Sequence, residues 1–216
     1  MDGPLVAATR RGIVVHAGEN EIAAMRDELA QCHVVRLRKF LDDDLLDRVM
    51  QSIDAGAFAT REDAGIAVEL CLDPSRALDI LTFAMNSAAL FDFVRAISGC
   101  EHIGHFAGRI YRFDPRVTHH DSWHDDTAGD GGARRLGFSL NLSRERYCGG
   151  TFQLREKAWP DAITSIENTR LADAFLFRIA PELQHRVTAV EGSASKTAFA
   201  GWFIAGDIDL RTMLTR

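Results

Sequence analysis

From about residue 103 onward, six short segments rich in β-branched and aromatic residues follow one another between turn-forming residues. They are GRIYRF (108–113), LGFSLNL (136–142), GTFQL (150–154), AFLFRI (174–179), HRVTAV (185–190) and KTAFAGWFI (196–204). Many short strands at near-regular spacing predict a sandwich or jelly roll.

The first hundred residues follow a different period. Leu45, Leu46, Val49, Met50 and Ile53 recur at helical spacing behind the acidic run Asp42-Asp43-Asp44, which suits a helix N-terminus. A short strand, HVVRL (33–37), precedes them, and another helix is predicted after Asp73-Pro74. A further helix carries Leu90, Phe91, Val94 and Ile97 and stops near Gly99. No internal repeat, low-complexity tract or linker divides the chain. The expectation is one domain over residues 1–216, mainly β with N-terminal helices (α+β). Residues 1–102 would be mainly helical support, and residues 103–216 a jelly-roll core.

Composition narrows the partners. With 216 residues and a net charge of −6, the chain lacks the clustered Lys and Arg of a broad nucleic-acid surface, so no nucleic-acid partner is expected. No stretch approaches the apolar length of a membrane span, and the N-terminus lacks a secretion signal, so a cytoplasmic protein is the expectation. Cys32, Cys71, Cys100 and Cys148 show no Cys-x-x-Cys spacing and are read as reduced, mostly buried thiols. Oligomeric state does not follow from the sequence.

Within this frame, His124 and Asp126 form a His-x-Asp pair at the end of a predicted strand, where alternation lets both point to one side and Asp125 to the other. His185 must arrive from another strand of a folded-back sheet. Two imidazoles and one carboxylate suit Fe(II) bound on one face, with open positions left for other ligands. His119 and Asp121 make a competing His-x-Asp five residues earlier. Because His124-Asp125-Asp126 runs directly into the Gly/Asp-rich segment 127–133, a mobile loop in this reading, the ligands are assigned to His124, Asp126 and His185. His119, His120 and Asp121 are left as alternatives or as supporting and substrate groups. Trp123 and Trp202 are read as core residues.

Several ordered blocks in the C-terminal half resemble the Fe(II)/2-oxoglutarate-dependent oxygenase superfamily, in its prolyl-hydroxylase-like branch. They are GRIYRF followed by the His-x-Asp, LGFSLNLS (136–143), CGGTFQLRE (148–156), LADAFLFRIAPELQHRV (171–187) and KTAFAGWF (196–203). The family commonly has a basic residue, usually Arg, six positions before a Trp in its last strand, and here Lys196 stands six before Trp202. The resemblance implies a double-stranded β-helix and the cofactors Fe(II), 2-oxoglutarate and O₂. It gives Lys196 the distal carboxylate of 2-oxoglutarate, with Lys for Arg a less bidentate grip. It also suggests Tyr111 as a 2-oxoglutarate contact, and strand alternation, which puts Asn141 on the face of Gly137 and Ser139, offers Asn141 as a pocket residue.

The implied activity is a dioxygenase that releases succinate and CO₂ while hydroxylating a small-molecule, carrier-bound or protein-side-chain substrate. Desaturation, cyclisation or demethylation are other outcomes of that chemistry. The carboxylate at Asp126 departs from halogenases, which have a small residue there. Two rival readings are a cupin-like metalloenzyme that does not use 2-oxoglutarate, and a non-catalytic jelly-roll binding module. The first gives Lys196 no task, and the second needs no metal triad, so iron affinity would separate it.

Overall fold

A computed structural model describes residues 3–63, 66–117, 119–127, 133–159, 161 and 163–206. The segment 128–132, most of the predicted mobile loop, lies outside the described residues.

The N-terminal part opens with the hairpin β1 (Val6–Thr9) and β2 (Gly12–Val15), followed by α1 (Glu19–Cys32) and β3 (Val34–Leu37). Helix α2 (Asp43–Asp54) begins where the acidic run predicts, because the Asp42 carboxylate accepts the Leu45 backbone N–H and caps its first turn. Strands β4 (Phe58–Asp63) and β5 (Ala67–Leu72) come next, then α3 (Arg76–Met85) and α4 (Ala88–Ser98). Ser75 and Ser87 cap these two helices, and Gly99 ends α4 in the left-handed conformation at φ 72°. Among the described residues, the first hundred thus supply four helices and also five strands.

The C-terminal part runs through β6 (His105–Phe113), β7 (His120–His124), β8 (Arg134–Asn141), β9 (Cys148–Gly149) and β10 (Phe152–Glu156). It continues with β11 (Thr164–Ile166), β12 (Ala174–Arg178), β13 (Leu183–Val187), β14 (Val190–Glu191) and β15 (Lys196–Ile204). The main sheet has the order β11-β10-β13-β7-β5-β6-β15-β8-β12-β3, with β4 attached to β5. All of its pairings are antiparallel. The sheet folds back on itself at the β7–β5 contact, giving the jelly roll predicted from strand spacing.

Alternation along the strands separates two cores. Phe106, Ile110, Phe138, Leu140, Phe199 and Phe203 face outward onto the helices, with Leu45, Val49, Leu81, Leu90 and Val94. Tyr111, Phe113, Phe152, Leu154, Phe175, Phe177 and Val187 face inward. Each face buries its own apolar stripe, so the helices cover one side of the sheet and leave the other to enclose a cavity.

The cysteines depart from expectation. None is paired, but Cys32 and Cys148 are exposed and the other two only partly covered. Each exposed thiol lies where its element ends, Cys32 as the last residue of α1 and Cys148 as the first of β9.

Strand β15 is held on both sides, by β6 over nine residue pairs (Lys196↔Phe113 to Ile204↔His105) and by β8. At Gly201 the neighbouring strand comes so close that an added Cβ would stand 2.1 Å from the Ala107 carbonyl oxygen and 2.5 Å from the Gly108 Cα. Both obstacles are backbone and cannot rotate aside. Gly201→Ala should therefore destabilise the protein by about 1–3 kcal/mol, read as a lower urea midpoint with an unchanged slope.

Candidate metal centre

Strand β7 enters the cavity with an irregular register against β13. His124 pairs with His185, but Val187, two residues on, pairs with Asp121, three residues back. The extra residue on β7 is a bulge, and it puts Asp121 and His124 on the same inner side. The strand stops at His124, so Asp126 does not reach that side by alternation as expected. It does so because its own backbone turns left-handed, φ 59°, a conformation that Asp tolerates better than most residues. His185 sits mid-strand in β13, walled by the rings of Phe177 and Phe152 at 4.7 and 5.8 Å.

These three side chains meet. One ligand atom from each of His124, Asp126 and His185 lies within 4.8 Å of the others. The His185 Nε2 is 3.3 Å from Asp126 Oδ2, and the His124 Nε2 is 3.7 Å from Asp126 Oδ1. On the far side of the His124 ring, Nδ1 lies 2.8 Å from the Ser122 carbonyl oxygen and 3.2 Å from Asp121 Oδ1. Those acceptors favour the tautomer with its proton on Nδ1, which leaves the Nε2 lone pair for a metal.

The electrostatics suit a cation. Burial alone would raise the Asp126 carboxyl, but His185, His124 and the Trp202 indole outweigh it and hold the group well below the usual carboxylate range. Burial pushes the His185 imidazolium down, against the pull of Asp126. The stable arrangement is an ionised Asp126 beside a neutral His185. Asp121 is pushed up to about 7, first by burial and then, against His124, by Asp126. A divalent ion would relieve this crowding of acid and lone pairs, so the donor set fits Fe(II).

Two residues that the sequence reading did not place at the site hold Asp126 in position. The Trp202 Nε1 donates to Oδ2 at 2.6 Å and Arg134 donates to Oδ1 at 2.9 Å. The Arg134 guanidinium also lies 3.8 Å from the Trp202 ring centre. Trp202 packs against the inner core, as expected, and also supports the carboxylate. The spacing to Lys196 marked Trp202, but no local pattern marked Arg134. A buried Glu69 on β5 and its half-buried partner Arg109 on β6 line the cavity as well and were equally unmarked.

The remaining candidates occupy distinct places. His119 is buried apart from the group, where its Nδ1 accepts the Asp114 backbone N–H at 2.9 Å. Asp121 of the competing pair contacts His124 instead. His120 lies on β7 opposite Val68. Tyr111 lines the cavity. Lys196 does not, but its Nζ lies 5.9 Å from the Tyr111 ring centre and as far from that of Tyr147. Its ammonium is buried and donates to the Gly150 carbonyl at 2.8 Å. No carboxylate pairs with it among the described residues. Gly150, at φ 57°, makes room for it, since a Cβ there would press on the Lys196 stem at 3.0 Å. Asn141 does not line the cavity either. It lies in a cross-strand row with Ala198 and Tyr111, and its Nδ2 is buried without a hydrogen-bond partner among the described residues.

Mn(II) titration followed by electron paramagnetic resonance checks this assignment. His124→Ala should abolish tight binding and His119→Ala should retain it; the reverse pattern would move the ligand set to the earlier pair. Trp202→Phe removes one donor from Asp126 and should weaken Mn(II) by about 10- to 100-fold with the fold intact.

Comparison with known proteins agrees with this geometry. Residues 109–204 match the model of the 2OG-Fe(II) oxygenase superfamily. A search of curated proteins found no match in sequence. Among solved structures, a 2OG-Fe(II) oxygenase family oxidoreductase from Burkholderia pseudomallei is 16% identical, with 93% of this chain and 96% of that chain covered and a TM-score of 0.61. A Pseudomonas putida prolyl-4-hydroxylase is 20% identical, with 86% and 99% covered and a TM-score of 0.63. A prolyl hydroxylase from Trichoplax adhaerens, solved with a hypoxia inducible factor peptide fragment, is 15% identical, with 87% and 90% covered and a TM-score of 0.66. Residues 109–204 thus resemble the 2OG-Fe(II) oxygenase superfamily in sequence, and the fold is similar to that of these solved structures over most of the chain.

Proposed function

We propose that the chain is an Fe(II)- and 2-oxoglutarate-dependent dioxygenase that hydroxylates a small-molecule, carrier-bound or protein-side-chain substrate. In this reading residues 1–216 act as one domain, with 1–102 supporting the jelly roll. The observation that carries it is the buried Lys196, without an acid partner among the described residues, beside Tyr111, which lines the same cavity as His124, Asp126 and His185. A buried ammonium with no acid partner is costly unless an anionic ligand supplies one. The orphan amide of Asn141 in the neighbouring row is a second unfilled donor.

His124, Asp126 and His185 would hold the iron, and Lys196 would take the distal carboxylate of 2-oxoglutarate. Bound Fe(II) supplies the redox centre at which O₂ and 2-oxoglutarate give succinate, CO₂ and the oxidising power for hydroxylation. The protein's own residues arrange and shield that event. Lys196 fixes the far end of the cosubstrate and so aims its keto acid toward the His-Asp-His group. Tyr111 stands between that lysine and the cavity and is the next contact along the same line. Phe113, Phe152, Phe175 and Phe177 form an apolar wall that keeps bulk water from the reacting atoms. Glu69, held by both Arg109 and Arg61, lines the cavity on its β5 side.

Four unpaired cysteines support a reducing compartment such as the cytoplasm. Among the described residues no single helix is long and apolar enough to cross a membrane.

Succinate formation from 2-oxoglutarate, after anaerobic Fe(II) loading and O₂ addition across a panel of such substrates, tests the activity. Lys196→Ala should weaken 2-oxoglutarate by about 10- to 150-fold while Mn(II) binding stays near normal. Unchanged dependence on 2-oxoglutarate would remove Lys196 from the site. Burial lowers the Lys196 ammonium to about 7, and only the protonated form matches a carboxylate. Affinity for 2-oxoglutarate should therefore be level below about pH 7 and fall above it by up to about tenfold per pH unit, with proton uptake visible by calorimetry in buffers of different ionisation heat. Lys196→Arg should flatten that profile.

A further inference from the structure

The helical side of the protein holds a second concavity that the oxygenase reading does not use. Helices α2 and α3 and the β1–β2 turn enclose a cavity of about 550 Å³, within the size range of small-molecule sites. Its lining includes the apolar side chains of Leu45 and Ile80. At its rim stands Phe83, 83% exposed, an unusual position for a large apolar ring on a well-covered helix.

The charge around this hollow is one-sided. Arg10 and Arg11 reach it from the hairpin turn, Arg48 from α2 and Arg76 from the first turn of α3, against the single acid Asp79. Among the described residues none of these four guanidinium groups has an ion-pair or hydrogen-bond partner. In a chain of net charge −6, four unpaired arginines about one apolar hollow are a local reversal of sign. More than one guanidinium exceeds what a single carboxylate needs, whereas a phosphate accepts several such donors at once. An exposed phenyl ring offers a stacking platform to a flat partner.

We propose that this cleft binds a small organic phosphate with a flat, apolar body, a nucleotide-like ligand, with its phosphates on the arginines and its ring against Phe83. The helices and the sheet separate the cleft from His124, so its occupant is a second ligand and not the substrate to be oxidised.

The test uses the full chain loaded with Mn(II) and 2-oxoglutarate, so that the metal site is already filled. Anilinonaphthalene sulfonate, an aromatic anion, reports occupancy by its fluorescence, and ATP, adenosine and inorganic phosphate compete with it. ATP should displace the dye at one saturable site, with adenosine and phosphate each at least about tenfold weaker, since each carries half of the recognition. R48Q and R76Q should each weaken ATP by about tenfold. Phe83→Ser, at a site too exposed to unfold the helix, should weaken ATP and adenosine alike and leave phosphate unchanged. Equal ATP affinity in the wild type, the R48Q/R76Q double variant and Phe83→Ser would overturn the proposal. So would absence of saturable dye binding, or displacement by an acidic peptide but not by ATP, which would make the cleft a protein-docking surface.

Discussion

Strand β15 carries both ends of the candidate site, and its double pairing makes it the member on which the rest is built. Lys196 stands at its first position and Trp202 at its seventh, both on the inner face. At about 3.3 Å per residue the six steps span roughly 20 Å. Because β6 flanks the strand along this whole length and β8 from Ala198 onward, neither end can slip relative to the other. A one-residue change of register would turn both side chains into the helical core. Lys196 at the closed end and Trp202 on Asp126 at the metal end are thus fixed to each other by backbone hydrogen bonds, before any ligand is considered.

The metal end shows how irregular backbone serves a site within a regular sheet. An unbroken strand through residues 120–126 would alternate its side chains and could not direct Asp121, His124 and Asp126 inward together. The bulge on β7 and the left-handed turn at Asp126 break that alternation twice in six residues. Each break carries a local cost, and the contacts of Asp126 with Trp202 and Arg134 offset it. The carboxylate is held by residues from two other strands, so its position depends on the closed sheet and not on its own loop.

These irregularities also explain what the sequence made legible. Strands β6, β8, β12 and β15 were readable because each has apolar residues on at least one face and ends at turn residues. Strand β7, HDSWH, was expected from the ligand motif at its end and not from apolar alternation, which a strand lining a polar site loses. Strand β4, FATRED, lies at the sheet's edge with most of its side chains in water, and its composition resembles a loop. The triad could be named from spacing and resemblance, whereas Arg134, Glu69 and Arg109 could not. Their roles come from contacts that close only in three dimensions: Glu69 and Arg109 meet across 40 residues and Trp202 reaches Asp126 across 76. Asn141 shows the converse, since face alternation alone placed it on the inner side but could not place it relative to the cavity.

The burial of Lys196 connects stability to the proposed chemistry. Its ammonium, lowered from 10.5 to about 7, costs the ligand-free protein roughly 4 kcal/mol at neutral pH. The sign follows from the lowered value: the cost is full below about pH 7 and fades as pH rises toward the unfolded value of 10.5. A Met or Leu at this position would remove the cost, and the surrounding Tyr111 and Tyr147 rings would accept either. The same exclusion of water that makes the charge costly makes a carboxylate brought to it worth more than at the surface. Two aromatic faces and one backbone carbonyl give the ammonium partial compensation, enough to keep it oriented and too little to satisfy it. In the proposed reading, the folded protein would hold part of its binding energy in reserve at this lysine, released when an anion of the right length spans from the His124–Asp126–His185 group to Lys196.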